Sequence, residues 1–113
     1  MPGEGAERSA ARAAMNESTF REANEQIEAK RAELDLNEGQ TPYLCECENE
    51  RCTTIVRLTT AEYEAVRNHP RQFLLAPGHE EPDDRVVSQQ ERFTVVEKTG
   101  EEGRLVEEQD PRS

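Results

Sequence analysis

The sequence predicts an α+β fold: a long N-terminal helix followed by a small, mainly antiparallel β domain with one short helix and a cysteine-rich hairpin turn. Three observations predict it. Strong helix formers run from Asn16 to Leu36 with no Gly or Pro. After Asn37-Glu38-Gly39 the pattern changes to short, β-branched runs separated by turn residues. Between the first two of these runs Cys45, Cys47 and Cys52 fall within eight residues, and the chain has no other cysteine.

Composition places the core. Of 113 residues only 19 are Leu, Ile, Val or Phe, and the net charge is -11, a balance that favours disorder over the chain as a whole. The shortage is local, because 15 of the 21 Leu, Ile, Val, Phe and Tyr residues lie between Tyr43 and Val96. We therefore expect a disordered N-terminal extension over 1–15, an amphipathic helix over 16–36, a small α+β metal-binding domain over 40–98, and an acidic disordered tail over 99–113. A core from some sixty residues supplies only ~3–5 kcal/mol, so a domain of this size calls for a metal, a disulfide or a partner.

In the first helix, Thr19 with Glu22 has the spacing of a capping box, and Glu17 with Arg21 that of an i,i+4 ion pair. Its apolar stripe is Phe20, Ala23, Ile27 and Leu34, narrow and covering barely two heptads. It can lie across the globular part or pair with a partner helix. Pro42 to Cys47 reads as a strand entering the cysteine turn and Thr53 to Leu58 as the strand leaving it. Thr59-Thr60-Ala61-Glu62 forms a second capping box, with Leu58 and Tyr63 spaced as a hydrophobic staple, opening a short helix that Pro70 stops after Asn68. Gln72 to Ala76 is a strand closed by the turn pair Pro77-Gly78. Val86-Val87 and Phe93 to Lys98 read as a last hairpin around Gln89-Gln90-Glu91, with one helical turn opened by Asp83 or Asp84 as the alternative for its first half.

The cysteines carry the chemistry. In an extended strand Cys45 and Cys47 point the same way, and the four-residue loop Glu48 to Arg51 can bring Cys52 round to them. Three thiolates form an incomplete soft tetrahedron that suits zinc and requires a fourth donor. His79, on the Pro77-Gly78 turn, is the favoured fourth ligand, ahead of His69 at a helix end. The competing readings are a redox thiol pair at Cys45 and Cys47 and three small buried hydrophobes.

The blocks Phe20-Arg21-Glu22-x-Asn24-Glu25, Cys45-x-Cys47-x4-Cys52, Leu58-Thr59-x-x-Glu62-Tyr63-Glu64-x-Val66-Arg67, Pro77-Gly78-His79 and Val95-Val96-Glu97-Lys98, in this order, resemble a group of small uncharacterised bacterial proteins. The resemblance spans residues 16–98 and supports Cys45, Cys47, Cys52 and His79 as a set. It implies no activity.

The acidic balance and the absence of a basic stripe argue against direct nucleic-acid binding. An acidic start and the lack of any long apolar run lead us to expect no secretory signal, no membrane span and a cytoplasmic location. No phosphate loop, nucleophile elbow or deaminase HxE…PCxxC order is present, so an enzyme is not expected. The leading expectation is a small zinc-stabilised acidic protein that binds another protein through the Phe20, Ile27 and Leu34 face. The alternatives are a thiol-based redox or metal-responsive sensor and a catalytic metal site.

Overall fold

The computed structural model describes residues 2–34 and 39–112, with side chains from Ala10 onward. Helix α1 (Pro2–Glu33) is followed by strands β1 (Thr41–Leu44) and β2 (Ile55–Leu58), helix α2 (Thr60–Arg67), strands β3 (Gln72–Leu75), β4 (Arg85–Gln89) and β5 (Thr94–Glu97), and helix α3 (Gly100–Glu108). The α+β expectation holds. The strands form two antiparallel sheets, a β1-β2 hairpin and a three-stranded sheet in the order β3-β5-β4.

Alternation decides which side chains enter the core. In the hairpin, Thr41 faces Leu58 and Tyr43 faces Val56, and all four are buried while their neighbours are not. Tyr43 stacks on Tyr63 of α2 with ring centroids 4.3 Å apart. Central strand β5 buries Val95 and Val96, and β3 buries Phe73, Leu74 and Leu75. The edge strand β4 leaves Val86 and Val87 largely exposed, and a bulge between Val86 and Ser88 interrupts its pairing with β5. The helical-turn alternative for this segment is thereby replaced by a strand. The α2 capping box forms as read: the Thr59 hydroxyl accepts from the Glu62 N–H at 3.1 Å, and the Glu62 carboxylate accepts from the Thr59 N–H at 2.8 Å.

Both ends of the chain depart from expectation. Helix α1 begins at Pro2, so residues 2–15 continue the helix where a disordered extension was expected. The Thr19-Glu22 capping box therefore does not form, and the Thr19 hydroxyl donates instead to the Met15 carbonyl inside the helix, at 2.9 Å. The expected helix end at Leu36 lies outside the described residues. The expected acidic tail contains α3, which packs against α1 and buries Val106 completely. Gly103 lets α3 lie close against the chain leaving β5, since a Cβ there would lie 2.5 Å from the Lys98 carbonyl oxygen.

After the buried Ala13 and Ala14, the face of α1 turned to the core is polar. Glu17, Arg21 and Asn24 are fully buried, whereas Phe20, Ala23 and Ile27 are half-buried and Leu34 is 54% exposed. Glu17 and Arg21 each find a tertiary partner. Glu17 meets Lys98 Nζ at 2.8 Å, while Arg21 donates to the Pro70 carbonyl at 2.6 Å, pairs with Asp110 at 3.1 Å and lies over the Phe73 ring at 3.8 Å. Apolar spacing is therefore a poor guide to the docked face of this helix, because burial is achieved by pairing charges.

Candidate metal centre

Strand β1 runs directly into the cysteine loop. The Cys45 N–H donates to the Thr54 carbonyl at 3.1 Å, extending the hairpin by one rung past the strand. Asn49 then shapes the return: its carbonyl accepts from Cys52 N–H at 2.9 Å and its side-chain oxygen from Arg51 N–H at 3.0 Å. The fourth member arrives from the other sheet. At the end of β3, Ala76-Pro77-Gly78-His79 makes a β-turn closed by a 3.1 Å bond from His79 N–H to the Ala76 carbonyl. Gly78 takes φ +87°, the left-handed conformation that the third position of a type II turn requires.

The four predicted side chains converge. One donor atom each from Cys45, Cys47, Cys52 and His79 lies within 4.8 Å of all the others. His79 Nδ1 is 3.6 Å from Cys45 Sγ and 3.7 Å from Cys52 Sγ. A tetrahedral ion ~2.3 Å from sulfur and ~2.0–2.1 Å from nitrogen sets an S···N edge of about 3.5–3.6 Å, so the spacing fits a metal. The Ala76 N–H donates to Cys45 Sγ at 3.2 Å, the kind of backbone contact that stabilises a ligating thiolate. His69 is not part of this group and lies exposed at the end of α2.

Burial and proton sharing distinguish the thiols. Cys45 and Cys47 are almost fully buried, whereas Cys52 and His79 are partly open to solvent. The hydrogen bond with Cys47, together with burial, pushes the Cys45 thiol well above its ordinary range. The same bond with Cys45 brings Cys47 down to about 5. The two sulfurs thus differ in acidity in opposite directions, and metal binding would displace the protons that the thiols carry. Exposure favours Cys52 as the thiol an oxidant reaches, whereas thiolate character favours Cys47.

Glu46 is the residue that sequence reasoning missed. Its neighbours point at the metal centre and it points the other way, completely buried, accepting from Tyr63 OH at 2.6 Å, Asn24 Nδ2 at 2.9 Å and the Leu74 N–H at 3.0 Å. Burial raises its pKa, opposed by these three donors and the charge of Arg21. Asn24 also brackets Leu44, donating to its carbonyl at 2.9 Å and accepting from its N–H at 2.7 Å. The Cys-Glu-Cys alternation was the available signal, since a residue between two inward ligands faces the opposite side. Glu46→Gln puts an NH2 group against a set of donors. We expect a loss of about 1–3 kcal/mol in urea unfolding with metal content unchanged; loss of metal instead would show that the glutamate acts on the site itself.

No helix among the described residues is long and apolar enough to cross a membrane. No protein-family model, curated protein or solved structure matches the chain.

Proposed function

We propose that Cys45, Cys47, Cys52 and His79 bind one zinc ion in a closed structural site, and that the protein works as a zinc-stabilised module that binds another protein. The observation that carries the first half is the convergence of three sulfurs and one imidazole nitrogen from two sheets within 4.8 Å of one another, with the Cys45 and Cys52 sulfurs at tetrahedral spacing from His79 Nδ1. Soft donors favour zinc over hard cations, and four protein ligands leave no position for a substrate or an activated water. The zinc then cross-links the β1-β2 hairpin to the end of β3, supplying the staple that a small core needs.

The second half is supported by the way α1 docks. Its polar side faces the core, which leaves Phe20, Ala23 and Ile27 half-covered and Leu34 exposed along one side. X-ray absorption at the zinc edge tests the site: we expect three sulfurs and one nitrogen, and a bound water in place of a protein donor would reopen the catalytic reading. For the surface, Ile27→Glu should leave zinc content and melting temperature within ~2 °C of wild type while abolishing capture of a partner. Equal capture by both proteins would move the contact elsewhere.

A further inference from the structure

The segment from Leu44 to Glu48 is held from two sides. Cys45 and Cys47 belong to the thiolate centre, and the residues that alternate with them are each bonded to α1. Asn24 donates to the Leu44 carbonyl at 2.9 Å, accepts from the Leu44 N–H at 2.7 Å and donates to the Glu46 carboxylate at 2.9 Å. About two turns earlier in the helix, Asn16 donates to the Glu48 carbonyl at 2.7 Å. Alternation along one short stretch thus serves the ligand cluster with residues 45 and 47 and the helix with residues 44, 46 and 48.

This arrangement cannot shift on one side without disturbing the other. Glu46 stands between two ligands, and an ion that fixes both neighbours fixes its carboxylate as well. That carboxylate also accepts from Tyr63 OH at 2.6 Å and from the Leu74 N–H at 3.0 Å, while the Glu46 N–H donates to the Leu74 carbonyl at 2.7 Å. Glu46 and Asn24 are both completely buried, so a displaced segment leaves the Asn24 amide, the Tyr63 hydroxyl and the Leu74 N–H without a partner and without water. Directional bonds of this kind weaken steeply when distance or angle changes, whereas apolar contacts adjust. Other parts of α1 are tethered independently, through Glu17 to Lys98 and Arg21 to Asp110. What the segment decides is how the helix is seated between Asn16 and Ile27.

We propose that occupancy of the thiolate centre and the seating of α1 are coupled through Leu44, Glu46 and Glu48, so that zinc fixes the helix and the seated helix tightens zinc. This rests on the reading of Cys45, Cys47, Cys52 and His79 as a zinc site. Phe20, Ala23 and Ile27 lie on the same span of α1, so a protein bound to that face is linked to the metal as well. Coupling is reciprocal: the factor by which zinc favours the seated helix is the factor by which the helix raises zinc affinity, and couplings of this type run to about 5–150-fold.

The test is the zinc affinity of the full chain, measured by competition with a chromophoric chelator, in wild type, Asn24→Ala, Asn16→Ala and Phe93→Leu. All four should take up one zinc per chain at saturation, and the two asparagine variants should raise the zinc Kd by at least ~5-fold. Phe93→Leu should leave it unchanged, since Phe93 lies beside Val66 of α2 and Val87 of β4, and its loss loosens the core without touching an α1 asparagine. Asn16 is only half-buried, so its variant decides the matter if Asn24→Ala fails to fold. Hydrogen exchange at 10 °C should also show that chelation speeds the α1 amides from Asn16 to Ile27 at least ~5-fold more than those of β5. A wild type that binds no zinc would remove the zinc reading itself. Zinc bound by wild type with the same affinity in both asparagine variants would overturn the coupling alone. An equal loss of affinity in all three variants, or equal acceleration of exchange in α1 and β5, would overturn it in favour of an affinity that follows overall stability.

Discussion

Chelation of the zinc-loaded protein is expected to lower its melting temperature by ~16–32 °C. A ligand held at a thousandfold excess over its dissociation constant stabilises the fold by about 4 kcal/mol, and each kcal/mol shifts the midpoint of a domain near this size by roughly 4–8 °C. Cys47→Ser should melt where the chelated wild type melts and should ignore the chelator. Cys47 is the informative choice because it is 4% exposed and its loop carries Glu46, the link from β1 to α1 and α2. Protein that contains no metal and melts at the same temperature with and without chelator would reduce the four residues to core packing.

Asp110→Ala is expected to cost about 3–5 kcal/mol, because it strands buried guanidinium charge. Asp110 Oδ1 lies 2.5 Å from Arg67 and Oδ2 lies 3.1 Å from Arg21, and both arginine side chains are fully shielded from solvent. The same aspartate accepts from the Arg112 N–H at 2.9 Å, closing the C-terminal end over α1 and α2. Burial would raise its pKa, but the hydrogen bonds from Arg67 and Arg112 and the charge of Arg21 outweigh it and hold the carboxyl below its ordinary range. A folded-state pKa below the unfolded value of ~3.9 gives stability that is present above that pH and lost as pH falls through the folded value. The stability difference between wild type and Asp110→Asn, measured by urea unfolding, should therefore shrink as pH is lowered below about 4. A difference independent of pH would mean that Asp110 acts through packing alone.

The β domain and its thiolate centre were legible because they rest on short-range signals. Cys45 and Cys47 share a strand face, Asn49 builds the return to Cys52, and Pro77-Gly78 sets the turn that delivers His79. The capping box at Thr59 likewise concerns residues three apart, and it forms as expected. The box at Thr19 has the same spelling and fails, because a capping box needs free N–H groups at a helix start and α1 is already several turns long there.

The two ends of the chain were misjudged for one reason. Their sequences hold few large apolar residues, and composition equates that with absence of order. At the ends a few small or single apolar residues suffice, Ala13 and Ala14 in α1 and Val106 in α3, while the part of α1 that follows is buried through ion pairs with partners far along the chain: Glu17 with Lys98, Arg21 with Asp110, and Glu25 with Arg67 and Arg112. No periodicity in a charged segment says which of its charges will be paired, and the apolar spacing of Phe20, Ala23 and Ile27 marks a side of α1 that is only half-buried.

By itself the sequence determined the class of fold, the succession of strands along the chain apart from β4, and the four candidate donors of the metal centre, since each rests on strand and turn signals between residues a few positions apart. Only the tertiary structure decided which face of α1 is buried, that residues after Thr99 form α3, and that Glu46 joins the cysteine loop to two helices. These outcomes depend on electrostatic pairing between distant segments, whose strength is set by burial and separation in space, and neither quantity is written in the local spacing of residues.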